Sequence, residues 1–171
     1  DCLAIFGPNG SGKSTLLRIL STLAKPSAGT VTIAGMDLIK SPNLIRSKLG
    51  VVLHQNLLYP DLTVYENLKF FARMYGLKDA GDRAQSIAEQ LGLVRRLSQR
   101  VGTLSNGLQR RMAIARALIN DPWLLLLDEP ETGLDYDALE VLDTIIAQHK
   151  MRQRAIIMIT HNLERGLLNA D

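Results

Sequence analysis

Short apolar runs alternate with amphipathic segments along much of the chain. The apolar runs predict buried strands at residues 3–6, 30–33, 51–53, 124–127 and 155–160. Between them, leucines and isoleucines recur at helical spacing, first in residues 14–23 and later in residues 139–146. Strands that alternate with helices predict an α/β fold with a mostly parallel sheet flanked by helices.

The stretch from residue 61 to about 120 departs from this alternation because helical patterns dominate it. Thr63 and Glu66 have the spacing of a capping box at the start of a helix. We therefore expect a single domain, residues 1–171, that contains an inserted helical subdomain at about 56–120. The core lobe would consist of the residues on either side, about 1–55 and 121–171.

Composition narrows the function only a little. Hydrophobic residues make up 46% of the chain and charged residues 22%, which is typical of a globular protein. The net charge is only +3 and the charges are scattered, so they give weak support for a nucleic-acid partner or an anionic surface. The short pairs Arg95-Arg96 and Arg110-Arg111 are expected to lie on solvated faces.

The single cysteine, Cys2, excludes an intramolecular disulfide, and we expect a buried thiol in a reducing compartment. No apolar run approaches the roughly 20 residues of a membrane helix, and no signal peptide is visible. If the protein serves a membrane, its spanning part is expected on other residues or on another chain. The chain begins on a strand and stops just after a helical pattern, so we expect a fragment of a longer polypeptide.

Residues 7–15, GPNGSGKST, fit the phosphate-loop pattern between a predicted strand and a predicted helix. Main-chain N–H groups of this turn can converge on phosphate oxygens, Lys13 can reach the terminal phosphates, and Ser14 can offer a hydroxyl to Mg²⁺. The expected nucleotide contacts are Gly7, Pro8, Asn9, Gly10, Ser11, Gly12, Lys13, Ser14 and Thr15. The pattern predicts binding of a nucleoside triphosphate together with Mg²⁺.

Two carboxylates, Asp128 and Glu129, follow the four leucines of a predicted buried strand. Ligands gather beyond the carboxyl ends of strands in an open parallel sheet, so both carboxylates are expected near the phosphate loop. Their side chains point differently because side chains alternate along an extended chain. Asp128 is the candidate Mg²⁺ ligand, and Glu129 is the candidate general base that polarises a water. The alternative is an acidic pair at a strand end on the surface.

A second candidate anion site lies in residues 103–118, TLSNGLQRRMAIARAL, where a polar turn opens a predicted helix. The turn LSNGL resembles the signature of the ATP-binding-cassette (ABC) family, usually LSGGQ. Ser105 and Gly107 match it, whereas Asn106 and Leu108 replace a glycine and the glutamine. Asn tolerates a left-handed backbone better than most residues, so the turn is expected to survive. Gln109 is a candidate substitute for the missing glutamine, and the alternative is an ordinary helix capped by Ser105.

Three further matches follow in the order typical of the ABC family. Gln55 looks like the glutamine that contacts Mg²⁺ and the attacking water, and the segment TGLD at 132–135 resembles the loop that couples two sites in a dimer. His161 looks like the switch histidine that senses the γ-phosphate. The resemblance implies an ABC-type P-loop NTPase that hydrolyses ATP. Its implied catalytic residues are Glu129, His161 and Gln55, and its implied Mg²⁺ ligands are Ser14, Gln55 and Asp128.

The resemblance also implies a partner. Two ABC subunits, identical or different, bind head to tail, so Ser105 and Gly107 would contact the ATP held by the partner's phosphate loop. An aromatic residue that stacks on adenine is expected upstream of the phosphate loop, outside this chain.

Only a compact helical block separates Gln55 from Leu104, which favours a transporter over chromosome-type ABC ATPases with long coiled coils. A transmembrane permease is then expected to contact the helical subdomain near residues 56–61. The protein would lie peripherally on the cytoplasmic face of the cell membrane.

His54 and the C-terminal segment THNLERGLLNAD are most similar to the haem-exporter subunit of cytochrome c biogenesis. Drug or polysaccharide exporters are alternatives, as is a regulatory module that binds ATP but hardly hydrolyses it. A nucleic-acid-associated ABC ATPase is a further alternative, although no direct nucleic-acid partner is expected.

Overall fold

The computed structural model describes residues 1–171 and contains six strands and seven α-helices. The strands are β1 (Cys2–Ile5), β2 (Thr32–Ile33), β3 (Met36–Asp37), β4 (Leu49–Val52), β5 (Leu124–Asp128) and β6 (Ala155–Ile159). The helices are α1 (Lys13–Leu20), α2 (Pro42–Arg46), α3 (Val64–Met74), α4 (Ala80–Gln90), α5 (Asn106–Leu118), α6 (Tyr136–Met151) and α7 (Leu163–Asn169). None of these helices has both the length and the apolar character needed to cross a bilayer.

Four strands form one parallel sheet in the order β1-β6-β5-β4. Strand β5 lies between two partners: Leu126 pairs with Val51 on β4 and with Ile157 on β6. Because the strands are parallel, their carboxyl ends share one edge, where ligands gather in such sheets. The predicted α/β class, with a parallel sheet flanked by helices, is confirmed.

The side chains of β5 alternate between two hydrophobic clusters. Leu125 and Leu127 belong to the larger cluster, which also contains buried residues of α3, α4, α5 and α6. Leu124 and Leu126 belong to the smaller cluster, together with Leu17 of α1. A strand that is buried on both sides requires the continuous apolar run seen in the sequence.

Helix α5 lies directly on β4 because Gly50 has no side chain. A Cβ at Gly50 would clash with the carbonyl oxygen of Ala117 on α5, and it would lie 2.7 Å from the side chain of Leu125. Helices α3, α4 and α5 contribute to the same large cluster as α6 and one side of β5. The division of the domain into a core lobe and a helical subdomain with boundaries near 56 and 120 stays a prediction.

The predicted strand at residues 30–33 is one arm of a short antiparallel hairpin, β2–β3. Its turn consists of Ala34 and Gly35, whose φ angles of 49° and 77° are both positive. Two-residue turns of this kind favour Asn, Asp or Gly, so Ala34 carried no hairpin signal. The prediction also missed α2, whose start is marked only by Pro42 in the first helical turn.

The start of α3 is fixed by side-chain hydrogen bonds. The hydroxyl of Thr63 accepts from the N–H of Glu66 at 3.2 Å, and the carboxylate of Glu66 accepts from the N–H of Thr63 at 2.8 Å. The capping box predicted from the sequence is thus confirmed. One position further, the buried Asn67 accepts from the N–H of Tyr59 and donates to three main-chain carbonyls, including that of Leu62. The loop before α3 is therefore tied to the helix by one amide.

Two buried titratable groups lie away from the carboxyl ends of the strands. Cys2 on β1 is 3% exposed, and burial raises the pKa of its thiol, so the predicted buried thiol is confirmed.

His149 near the end of α6 is 5% exposed. Burial, helped by the positive charge of Arg154, lowers the pKa of His149 from 6.5 to about 4. This imidazole is therefore neutral at pH 7.

Replacing Asn67 with alanine is expected to lower the free energy of unfolding by about 2–4 kcal/mol, because buried polar groups lose their partners. Urea unfolding followed by circular dichroism measures the loss. The matched control is Arg73→Ala on the exposed face of the same helix, expected to change stability by less than about 0.5 kcal/mol. Equal losses in the two variants would contradict the anchoring role of Asn67.

His149 makes stability depend on pH. Between its ordinary pKa of 6.5 and its folded-state pKa of about 4, the unfolded chain binds more protons, so the free energy of unfolding falls as the pH is lowered. Above pH 6.5 both states are neutral and this contribution does not change with pH. Urea unfolding of His149→Leu at about pH 7 and about pH 4.5 should show a weaker loss on acidification than the parent chain. The exposed His54→Leu control should keep the parent's pH dependence.

Candidate active site

A glycine-rich turn joins the end of β1 to the start of α1. Gly10 and Gly12 have φ angles of 81° and 92°, left-handed conformations that glycine adopts without a steric penalty. Gly12 occupies the N-cap of α1 and offers no side chain to the first N–H groups of the helix. N–H groups at such a helix start bind phosphate well.

Lys13, the first residue of α1, folds back over this turn. Its Nζ donates to the carbonyl oxygens of Gly7 at 2.7 Å and of Pro8 at 2.9 Å. The ammonium group therefore lies within the loop, where the terminal phosphates of a nucleotide can exchange for these carbonyls.

A cavity of about 210 Å³ unites the phosphate loop with two residues from the carboxyl ends of β5 and β6. None of its lining residues is hydrophobic: Asn9, Gly10, Gly12, Lys13, Ser14, Thr15, Glu129 and His161. Small-molecule pockets usually start at about 300 Å³, so this cavity suits phosphate groups better than a whole nucleotide. Gly7, Pro8 and Ser11 belong to the turn but do not line the cavity.

Glu129 leaves the end of β5 in a left-handed conformation, with φ of 46°. Its N–H donates to the carbonyl of Ile159 on β6 at 2.9 Å. Its carboxylate oxygen Oε1 lies 2.9 Å from Nε2 of His161. The two side chains are 35% and 50% exposed, so a water or a phosphate can reach both. The predicted base and the predicted switch histidine are thus direct neighbours.

Asp128 precedes Glu129 and is 6% exposed. Asp128 is not among the residues that line the cavity, and its carboxylate accepts no side-chain or main-chain hydrogen bond from the protein. Nowhere in the chain do three or more carboxylate, imidazole or thiol groups lie close enough together to hold a metal ion. Mg²⁺ commonly takes one or two protein oxygens plus waters and substrate phosphates, so the hydroxyl of Ser14, which lines the cavity, is compatible with such a site. The role of Asp128 as an Mg²⁺ ligand stays a prediction.

Gln55 is not brought to the cavity. It is exposed in the bend after β4 and is absent from the cavity lining. Its predicted contacts with Mg²⁺ and the attacking water stay predictions.

The signature turn, residues 104–108, lies apart from the cavity. Ser105 caps α5, and its hydroxyl accepts from the N–H of Leu108 at 3.4 Å. Asn106 is the first residue of α5 and its φ is not positive, so the left-handed conformation considered for this position does not occur. Gly107 lies against the loop after β5, since a Cβ there would come within 2.8 Å of the carbonyl oxygen of Gly133.

Gln109 does not extend away from the signature turn. Its side-chain amide donates to the carbonyl of Leu104 at 3.1 Å, so it is used within its own turn. Leu108 is half-buried against the larger hydrophobic cluster. The expectation that Gln109 substitutes for the usual glutamine therefore has no support in the geometry.

The pair Arg110-Arg111 was expected on a solvated face, and this expectation is wrong. Arg110 is 6% exposed, and Arg111 forms an ion pair with Asp135. A positional signal existed: Arg110 lies one helical turn before the buried Ile114 and so belongs to the apolar stripe of α5. Arg95-Arg96, in contrast, is exposed as expected.

The loop from Glu129 to Asp135 is held at both ends. Asp135 caps α6. The hydrogen bond from the N–H of Ala138 and, to a smaller extent, the hydrogen bond from the guanidinium of Arg111 hold the pKa of the Asp135 carboxyl below its usual range. Near the other end, the carboxylate of Glu131 accepts from the buried hydroxyl of Thr160. The sequence offered no signal for this pair, which connects the loop after β5 to the residue before His161.

A phosphate loop, a carboxylate and histidine at the ends of adjacent strands, and a separate capped turn on α5 define an ATP-binding-cassette ATPase domain. The family model described as ABC transporter matches residues 1–132, and the chain belongs to this family.

Several known proteins are similar over nearly the whole chain. The ABC transporter ATP-binding protein NatA of Bacillus subtilis (strain 168) is 37% identical, and the match covers 96% of this chain and 68% of that protein. The Nod factor export ATP-binding protein I of Paraburkholderia xenovorans (strain LB400) is 39% identical, with 97% and 55% covered. The chain thus spans between about half and two thirds of the length of these curated relatives.

Solved structures agree with the fold. An ATP-binding subunit of an ABC transporter superposes with a TM-score of 0.91 at 31% identity, covering 100% of this chain and 72% of that one. A dimeric ATP-binding cassette in a post-hydrolysis state, bound to ADP and Pi, gives a TM-score of 0.87 at 31% identity, with 96% and 76% covered. The P-loop ATPase fold predicted from the sequence is confirmed.

Replacing Glu129 with glutamine should keep ATP binding but lower kcat by about 10²- to 10⁴-fold, the range for loss of a general base. A phosphate-release assay measures turnover, and a fluorescent ATP analogue measures binding. The control is Glu89→Gln on the exposed side of α4. A loss of less than about threefold in Glu129→Gln would rule out this role.

Proposed function

We propose that this chain is the ATP-hydrolysing part of an export-type ABC transporter. The observation that carries the proposal is the single polar cavity that holds the phosphate loop together with Glu129 and His161. A regulatory module without turnover would not need this carboxylate–histidine pair beside the phosphates. The intact pair therefore favours a hydrolysing subunit.

In the proposed reaction, water attacks the γ-phosphate in line with the departing ADP. Lys13 and the N–H groups of the phosphate loop stabilise the charge on the phosphate oxygens. Glu129 orients the attacking water and accepts its proton, and His161 holds the Glu129 carboxylate at 2.9 Å. Ser14 and Asp128 are the residues of this chain that would hold Mg²⁺, which supplies further neutralisation of phosphate charge when bound.

The functional unit is proposed to be a head-to-tail dimer of two cassettes. Ser105 and Gly107 do not line their own chain's cavity, and the exposed cap of α5 offers unpaired main-chain N–H groups. These groups would contact ATP bound by the partner's phosphate loop. The dimeric cassette with ADP and Pi to which this chain is similar supports dimerisation.

A permease is proposed to dock in an apolar groove of about 150 Å³ between α3, α5 and the loop after β4. Its lining residues are Leu23, Val51, Leu57, Phe71, Tyr75, Arg116 and Ala117. Leu57 lies within the predicted contact segment 56–61. The protein would then sit peripherally on the cytoplasmic face of the membrane, and the transmembrane spans would belong to the permease.

Export is supported by the relative named for Nod factor export. The haem cargo suggested by His54 and the C-terminal segment receives no support from the relatives, which are named NatA and Nod factor export protein. We keep it as the narrower hypothesis, with drug and polysaccharide cargo as alternatives. Co-purification of the full-length subunit with its membrane partner decides between them: a partner unrelated to haem or cytochrome c maturation removes the haem hypothesis.

An ABC ATPase that acts on nucleic acid is the competing class. It predicts DNA or RNA binding that weakens steeply with salt, because phosphate contacts release counterions. The transporter proposal predicts no such binding and instead an ATPase rate that changes when the permease is present. Measuring both on the full-length protein separates the two classes.

The groove is tested by Leu57→Glu, which places a charge on a 44% exposed apolar contact. We expect recovery of the permease in a pull-down to fall at least about tenfold, corresponding to about 1.4 kcal/mol. The matched control is Leu44→Glu, a 62% exposed leucine of α2 outside the groove, which should leave recovery unchanged. Equal recovery in both variants would place the docking surface elsewhere.

A further inference from the structure

Arg110 is a buried cation at the junction of two strand ends. Its guanidinium donates to the carbonyl oxygens of Leu53 at 2.6 Å, Asp128 at 2.5 Å and Glu129 at 2.6 Å. Burial lowers the pKa of Arg110, and nearby carboxylates oppose this shift, Asp128 most strongly. An arginine nevertheless stays charged in proteins, so these are charge-assisted hydrogen bonds.

The contact with Glu129 falls at a residue with an unfavourable backbone conformation. Glu129 is a non-glycine residue with φ of 46°, a conformation that costs about 1–3 kcal/mol unless the surroundings hold it. The N–H of Glu129 is held by Ile159 and its carbonyl by Arg110. The peptide groups on both sides of this residue are thereby fixed, and with them the direction in which its side chain leaves the backbone; the carboxylate itself lies 2.9 Å from Nε2 of His161.

Arg110 also belongs to the helix that begins with the signature turn. Five residues separate it from Ser105, which is less than two turns of α5. Over this distance a helix moves as a rigid rod, so a displacement of Ser105 displaces the guanidinium. Two more contacts join the same helix segment to the loop after β5: Gly107 lies against Gly133, and Arg111 pairs with Asp135.

We propose that Arg110 is a positioning residue that couples the signature turn to the base Glu129 of the same chain. In the dimer of the proposed function, on which this inference rests, the signature turn contacts ATP in the partner's site. Seating of that ATP would fix α5, and through Arg110 it would fix the carboxylate that hydrolyses the ATP bound by this chain. Each site would thus sense the occupancy of the other through α5, with Arg110 as the contact that reaches the base.

The first test is Arg110→Lys in the full-length subunit purified with its membrane partner. Lysine keeps the positive charge but lacks the planar guanidinium that donates to three carbonyls at once. We expect kcat to fall about 10- to 100-fold, as for other misplacements of a catalytic group, with ATP binding changed by less than about threefold. The Hill coefficient for ATP should fall towards 1, a change that a merely structural role would not produce.

Arg83→Lys is the matched control. Arg83 also donates to two main-chain carbonyls, those of Leu118 and Ile119, but it lies on α4 and does not line the cavity. The Arg83→Lys variant should lose no more than about threefold in kcat and should keep the parent's Hill coefficient, even if its melting temperature falls. Equal kinetic losses in the two variants would reduce Arg110 to a stabilising residue and overturn the proposal.

Mixed dimers, in which each chain carries a different affinity tag, show which chain's base is affected by Arg110→Lys. With Arg110→Lys on one chain and Glu129→Gln on the other, the only intact base belongs to the chain that carries Arg110→Lys. Activity should then fall about 10- to 100-fold relative to a dimer with Glu129→Gln alone. With both substitutions on one chain, the intact base lies on the unaltered partner, and activity should stay within about threefold.

Each other outcome contradicts the proposal. The reverse pattern would mean that Arg110 serves only the signature turn and the partner's site. Equal losses in both arrangements would mean a general folding role, and no loss in either would mean no role. The inference rests only on the hydrolysing dimer of the proposed function, and failure of that part is distinguishable, since the parent protein itself would then lack dimerisation or ATP hydrolysis.

Discussion

The parallel pairing of β5 with β6 determines where the reactive groups meet. Asp128 is opposite Ile159 in this pairing, so the next N–H along β5, that of Glu129, reaches the carbonyl of Ile159. His161 follows two residues beyond the end of β6 and lies beside the Glu129 carboxylate. Because β1 pairs with the other side of β6, the phosphate loop leaves the sheet at the same edge. One hydrogen-bond register therefore brings three distant parts of the sequence to one cavity.

Features that depend on local sequence could be predicted from it. The phosphate loop follows from glycines and Lys13 at fixed spacing, the capping box from Thr63 and Glu66, and the buried strand β5 from four consecutive leucines. The cavity around Glu129 and His161 was also within reach, because strand ends in a parallel sheet converge. Each of these depends on neighbours along the chain or on a general property of such sheets.

Features that depend on tertiary contacts could not be predicted in this way. Arginine is a residue type usually found at the surface. The position of Arg110 on the apolar stripe of α5 indicated burial, but the three carbonyls that accept from its guanidinium come from distant parts of the chain and could not be predicted. The exposed position of Gln55 depends on the path of the chain after β4, for which the sequence has no marker. The hairpin at Ala34 was missed because the residue lacks the usual preference for positive φ. In each case the decisive partner is distant in sequence or the local preference is overridden.

Strand β5 connects the two hydrophobic clusters through alternate leucines. Removing the helices on one side would expose Leu125 and Leu127 and weaken the same strand whose other side packs on α1. Neither hydrophobic cluster can come apart while the other stays fully ordered, so thermal denaturation of this chain would be one cooperative transition. The phosphate loop, which precedes α1, would then lose its shape at the temperature where the helices on the opposite side come apart.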